Sequence, residues 1–301
     1  MLLPGRLPAA EMFPAGRRDL RSHSLELASG LRVRVVEAGN ENAPVVLLIP
    51  GWACSTWIFH ETITPLADAG FRAVAVDLKG HGLSEKPPES KHYTTEAMRD
   101  HVIEIIDALG AGRVRLVGHS MGGALAGHVA ATVPDRVESV VFAAPVGFAG
   151  VRGLDLLRLA TSRPIAPLLP SLAGREIVKA MLKILYGHAR PVSEKDVDEF
   201  WAPTQFPSFA RALRELLHTF DWERPFPELS MPWMTMVGSR DRLCDPRDIG
   251  RYAGSDGKHA TVVLPDVGHV LFDENPELVN GLLMSFFGGA PSDRSEQRNS
   301  S

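Results

Sequence analysis

Short runs of almost wholly apolar, β-branched residues recur along this chain, separated by segments long enough to be helices. Val45–Ile49 (VVLLI) carries no polar residue. Phe71–Val76, Val114–Val117, Val137–Phe142, Trp233–Val237 and Ala260–Leu264 carry few. A strand with one face in water alternates polar and apolar residues, so a run without that alternation must be covered on both sides. Buried strands interleaved with helices predict an α/β fold: a mostly parallel sheet with helices on both faces. Leu31–Ala38 (LRVRVVEA) does alternate, and reads as a half-buried strand. Helices are expected at about 57–69, 95–109, 121–132, 246–253 and 276–287.

The alternation stops between about 147 and 222, where no strand is predicted. Ile177, Met181, Ile184 and Leu185 form one helical stripe, and Leu213, Leu216, Leu217 and Phe220 another. Such an excursion, placed over the carboxyl edge of the strands, would form a lid where open α/β sheets bind ligands. The expected organisation is therefore a core from residues 21–146 and 223–287 with a helical cap at 147–222. Residues 1–20 and 288–301 lack apolar periodicity and read as a flexible arm and a disordered tail.

Composition narrows the function. Of 301 residues, 45% are hydrophobic, enough for a sizeable core, and 32 Lys and Arg against 36 Asp and Glu leave no basic excess for binding nucleic acid. No stretch reaches the roughly 18 consecutive apolar residues of a membrane span. Pro4, Gly5, Pro8 and Pro14 interrupt any leader-like apolar run, so no secretory signal is expected. Two cysteines, Cys54 and Cys244, read as reduced thiols of a cytoplasmic protein, with a single bridge as the alternative. Zinc-type Cys/His spacing and phosphate-binding glycine loops are both missing, so neither metal nor cofactor is expected.

The strongest chemical signal is Gly118-His119-Ser120-Met121-Gly122, a G-x-S-x-G between the strand Val114–Val117 and a helix rich in small residues. A sharp strand-to-helix turn exposes the serine oxygen beside helix N-terminal N–H groups, which favour developing negative charge. A serine needs a base. Among 11 histidines, His269 stands in a loop after the last apolar run and before the final helix. His119 neighbours the serine in sequence but points elsewhere, while His60 and His81 read as structural. The base needs an orienting carboxylate. Asp241 follows the strand Trp233–Val237, and the order Ser120, Asp241, His269 suits this architecture. Asp245 is the competing acid, set further from the strand end. The acidic stretch Glu194–Glu199 reads as a solvated helix face.

These pieces, with Pro50-Gly51-Trp52, Asp77-Leu78-Lys79-Gly80-His81-Gly82-Leu83-Ser84, Gly238-Ser239-Arg240-Asp241 and Gly268-His269, resemble the α/β-hydrolase fold, of the capped, esterase-like type. The resemblance implies an eight-stranded sheet, a helical cap after the sixth strand and a Ser-His-Asp triad. It implies oxyanion donors on the backbone N–H groups of Trp52 and Met121, and a loop-shaping role for Asp77 and Ser84. Many relatives carry His-Gly where this chain has Pro50-Gly51, so the contact of that imidazole is lost and the turn glycine kept. The expected activity is hydrolysis of a small carboxylic ester through an acyl-enzyme, with an apolar or amphipathic group held by Trp52, Phe148, Leu185, Trp201, Phe206 and Phe209. Lactonase, thioesterase, acyltransferase or carbon–carbon hydrolase chemistry would use the same triad. A ligand-binding receptor of this fold that does not turn over is the rival from another class. A serine at 120 argues against the epoxide hydrolases and haloalkane dehalogenases, whose resemblance would require Asp there.

Overall fold

The computed structural model describes residues 6–148, 150–162, 174–225, 228–249 and 259–288. Eight strands, β1 Arg21–Glu26, β2 Arg32–Ala38, β3 Val45–Ile49, β4 Arg72–Val76, β5 Val114–His119, β6 Val137–Ala143, β7 Trp233–Gly238 and β8 His259–Leu264, form one sheet in the order β1-β2-β4-β3-β5-β6-β7-β8. β2 is antiparallel to β1 and β4, and every pair from β4 to β8 is parallel.

Strand periodicity sorts the apolar runs into two cores. Val45, Leu47 and Ile49 of β3 join one cluster while Val46 and Leu48 join the other. β4 and β6 divide in the same way, Val74 and Val76 against Ala73 and Ala75, Val140 and Phe142 against Val141 and Ala143. Each sheet face is therefore apolar and needs helices. On the first face lie α2 Thr95–Ala108, through Met98, Val102 and Ile105, and α3 Met121–Thr132, through Leu125 and Val129. On the second lie α1 Ile63–Asp68, through Ile63 and Leu66, and the C-terminal helix Pro276–Phe287, through Val279 and Leu283.

β6 and β7 are joined by helical segments: α4 Leu154–Ala160, α5 Arg175–Leu185, α6 Glu194–Trp201 and α7 Pro207–Thr219. Among the described residues three short or terminal helices follow, α8 Pro246–Ile249, α9 Leu271–Glu274 and α10 Pro276–Phe287. No described helix is long and apolar enough to cross a membrane. Cys54 and Cys244 are buried free thiols.

Several expectations are corrected. β1 has the sequence RSHSLE and is largely exposed, so no apolar run announces it, and a polar edge strand is what such a position tolerates. β2 is buried on both faces beyond its first residue, because Arg34 pairs with Asp77 and Glu37 with Arg72 beneath the neighbouring strand. The helix expected over 57–69 is split into a 3₁₀ turn, Thr56–Phe59, and α1, with Pro65 in the first turn of α1, where its missing N–H does no harm. In α5 only Leu182 is fully buried. Ile177, Met181 and Ile184 are 45%, 46% and 52% exposed, so that stripe faces outward. The acidic face of α6 is not all solvated: Asp196 closes a capping box with Ser193 and pairs with Arg190, and Glu199 is buried. The N-terminal arm is docked from residue 6 onward. Met12 and Phe13 are buried, Gln205 Nε2 donates to Leu7 O, and the Phe13 N–H donates to both oxygens of Glu199 at 2.9 and 3.2 Å. Isolated apolar residues without periodicity hid this contact. Residues 289–301 of the expected 288–301 tail, and residues 250–253 of the expected 246–253 helix, lie outside the described residues.

Candidate active site

β5 ends at His119 and α3 begins at Met121, so Ser120 alone makes the turn between them. Its backbone has φ +54° and ψ −116°, a conformation that costs a non-glycine residue roughly 1–3 kcal/mol and persists only where its surroundings enforce it. They do. The Ser120 N–H donates to Ala143 O at 2.9 Å, and its carbonyl accepts from Gly123 at 2.9 Å and Val146 at 3.2 Å. The flanking glycines are steric requirements: a Cβ on Gly118 would stand 2.2 Å from Gly122 O, and one on Gly122 2.2 Å from Ile49 O. The sequence motif is thus a backbone crossing too tight for side chains.

Asp241 sits in the loop after β7. Its Oδ1 accepts the N–H groups of Leu243 at 2.8 Å and Cys244 at 2.9 Å, and its Oδ2 lies 2.8 Å from His269 Nδ1. Burial pushes its carboxyl upward, but attraction to His269, the hydrogen bond to it and the two N–H groups outweigh burial and hold it below the usual carboxylate value. An ionised carboxylate only accepts, so His269 carries its proton on Nδ1 and leaves Nε2 free to take another. Asp245 instead pairs with Arg152 and Arg247.

The His269 loop is braced on all sides. Its backbone N–H donates to Leu185 O at 2.7 Å, and its carbonyl accepts the His119 ring at 2.9 Å. Glu274 of α9 accepts the N–H groups of Gly268, Val270 and Gly187. Burial raises the Glu274 carboxyl, against the pull of those donors. Burial, then the nearby His269, lower His119 to about 3, so it is neutral and serves as a strut. The His119 and His269 rings are 4.9 Å apart, which brings the His269 imidazole to the serine turn. Among the described residues the His269 ring is hydrogen-bonded to Asp241 and not to Ser120 Oγ.

The backbone N–H groups of Trp52 and Met121 have no protein acceptor among the described residues. A first helical N–H is unsatisfied by construction, so Met121 offers a donor beside Ser120. Asp77 shapes the neighbouring loop as anticipated, accepting from Thr56 N, Leu83 N and Arg34, while Ser84 Oγ donates to Asp77 O.

The residues expected to hold substrate separate. Phe148 packs edge-on to Phe142, centroids 5.4 Å apart, and beside Trp233, so it belongs to the core. The Trp52 indole donates to Leu213 O of α7 at 2.9 Å and meets Trp222 edge-on. Leu185 packs on the second core cluster and gives its carbonyl to His269. Trp201 lies under Arg6, and Phe206 beside Lys86. Phe209 is buried yet belongs to neither core cluster. Two residues near His269 were missed in the sequence, Glu274 and Cys244. Neither sits in a recognisable motif, and only the meeting of three loops reveals them.

Comparison with known proteins agrees with this architecture. The alpha/beta hydrolase fold family matches residues 44–276, and the chain belongs to that family. It is 30% identical over 287 residues to the dihydrolipoyllysine-residue acetyltransferase component of the acetoin cleaving system of Cupriavidus necator, covering 91% of this chain and 72% of that one. Against bifunctional epoxide hydrolase 2 of Sus scrofa it is 31% identical over 193 residues, 63% of this chain and 31% of that one. The chain spans less than half the length of the first two curated relatives it matches. Among solved structures, the carboxylesterase CesB of Bacillus subtilis superposes with a TM-score of 0.75 at 20% identity, covering 94% of this chain and 95% of that one, a likeness of fold.

Proposed function

We propose that this hydrolase-fold protein cleaves carboxylic esters of small molecules through an acyl-enzyme. Ser120 Oγ attacks the carbonyl carbon while His269 Nε2 takes its proton. Asp241 fixes the imidazole tautomer and stabilises the imidazolium, and the N–H groups of Trp52 and Met121 receive the oxyanion. The alcohol leaves with the proton from His269, and water repeats the sequence to release the acid. The observation that carries this reading is the 2.8 Å bond from Asp241 to His269 in the same neighbourhood as a serine held at positive φ between strand and helix.

Epoxide opening is disfavoured by the same residue. A serine opening an epoxide forms an ether, which water does not cleave under base catalysis, whereas a carboxylate forms a hydrolysable ester. Transfer of the acyl group to an acceptor other than water uses the same intermediate, and the likeness to an acetyltransferase component keeps that as the second reading.

The helical segment at 147–222 acts in this proposal as a lid. Support comes from its ties to both ends of the site, Leu213 O to the Trp52 indole and Leu185 O to the His269 backbone. Trp201 and Phe209, both buried outside both cores, are the side chains assigned to the apolar part of the substrate. The test is a fluorophosphonate label together with a series of p-nitrophenyl esters. Wild type is expected to label and turn over, and Ser120→Ala to do neither while retaining its fold by circular dichroism. Undiminished labelling of the mutant would refute the assignment. A thiol acceptor added to the ester assay separates transfer from hydrolysis by product.

A further inference from the structure

Cys244 has no part in the proposed acyl transfer, yet its Sγ lies with an Asp241 carboxylate oxygen and a His269 ring nitrogen in a group whose members are all within 4.8 Å of one another. Their residues are only 4%, 5% and 4% exposed. We infer that Asp241, Cys244 and His269 form an inhibitory site for a thiophilic divalent cation of the Zn2+ or Cd2+ kind. This inference rests on His269 acting as the base.

The donor set suits the ion. Thiolate, imidazole and carboxylate are the three ligand types that zinc takes, and tetrahedral bonds of about 2.0–2.3 Å require donors about 3.3–3.7 Å apart. Reaching those spacings needs the 2.8 Å Asp241–His269 pair to open by about 0.5 Å and the wider separations, at most 4.8 Å, to close by about 1 Å. Arg242, between two of the ligands, is exposed, so the loop carrying them runs at the surface where an ion can enter. Charge also closes. One carboxylate, one thiolate and a neutral imidazole balance a dication, and a neutral buried complex avoids the penalty of an unpaired charge. Water completes the fourth position.

Capture disarms the base by a defined route. The metal takes the Nδ1 lone pair, the proton held there passes through solvent to Nε2, and the Cys244 thiol releases its proton to water, one proton per ion bound. With Nε2 protonated and Nδ1 bonded to metal, the imidazole has no lone pair for the Ser120 proton.

The test reads binding and turnover separately. Cd2+ titrated into the metal-free protein is expected to produce a thiolate charge-transfer band saturating at one ion per chain, with Zn2+ displacing it. Ester turnover should fall in proportion to occupancy and recover with a chelator, each protein referred to its own metal-free rate. Cys244→Ser is expected to lose the band and weaken Zn2+ binding at least about tenfold, no less than the loss typical of removing a supporting residue. Should that variant fold poorly, Cys54→Ser decides: with Cys244 the one remaining thiol, the band should persist at one ion per chain, and its loss would overturn the site. Ser120→Ala keeps all three ligands and should bind the ions as wild type does, whatever Ser120 does in catalysis. No thiolate band in wild type, or undiminished Zn2+ affinity in a folded Cys244→Ser, would overturn the site. Turnover by Ser120→Ala would instead overturn the triad and leave the binding result standing.

Discussion

Replacing Asp241 by Asn isolates what the carboxylate does for the base, and the loop geometry dictates how the amide must lie. Oδ1 accepts two backbone N–H groups, from Leu243 and Cys244, at 2.8 and 2.9 Å. An amide nitrogen there would face two donors, so the Asn oxygen takes the Oδ1 place and its NH2 takes the place of Oδ2. That NH2 then donates to His269 Nδ1, where the carboxylate had accepted at 2.8 Å. The imidazole responds by carrying its proton on Nε2, which leaves nothing to receive the Ser120 proton. Loss of the productive tautomer and of the charge opposite the imidazolium is worth about 10⁴ in kcat, or about 5 kcal/mol of transition-state stabilisation. The shape of the side chain is unchanged, so the melting temperature should move little. The assay is steady-state hydrolysis of a short p-nitrophenyl ester, with thermal melts of each variant and Asp245→Asn as the control. Asp245 is engaged by Arg152 and Arg247, so its variant should keep kcat within about threefold. An Asp241→Asn loss of less than tenfold, or an Asp245→Asn loss as large, would refute the reasoning.

Two further perturbations follow from buried carboxylates. Glu274→Gln puts an amide nitrogen among the N–H groups of Gly268, Val270 and Gly187; the expected result is about 1.5–3 kcal/mol of lost stability in denaturant titrations and about tenfold lower kcat with little change in KM. For Glu199, burial raises the carboxyl to about 7 despite the Phe13 N–H bond. The folded protein thus holds this proton at pH values where the unfolded chain, with its ordinary value near 4.3, has lost it. Stability from this group is complete below about pH 4 and declines as pH rises to about 7. Glu199→Gln should flatten that decline and make the protein more stable than wild type at pH 8, by about 3.7 kcal/mol at most, measured by melts from pH 4 to 8.

What could be read from the sequence was whatever local physics writes into consecutive residues. The buried strands of the parallel sheet are legible because two-sided burial forbids polar residues, and Ser120 because its turn forbids side chains at Gly118 and Gly122. β1 was illegible because a solvent-facing edge strand needs no apolar pattern. The α5 stripe misled because its periodicity gives the helix but not which side meets the core: Leu182 went inward while Ile177, Met181 and Ile184 stayed out. Phe148 was legible as apolar but not as core, since one of its partners, Trp233, comes from β7, far along the chain. Glu274 and Cys244 gain their meaning only where the loops after β7 and β8 converge.

The segment around Leu185–Ala189 is pinned to the loop of the base. Leu185 O holds His269 N, Asp266 O holds both His188 N and Ala189 N, and Gly187 packs so closely on Gly268 that a Cβ on either would collide with backbone. On the proposed reading, cover and catalyst share a strut. A helical insertion that swung away to admit a ligand would pull on the same main chain that holds the imidazole, so opening the site and misaligning its base would be one movement, and water entering an empty site would meet a nucleophile not yet cocked.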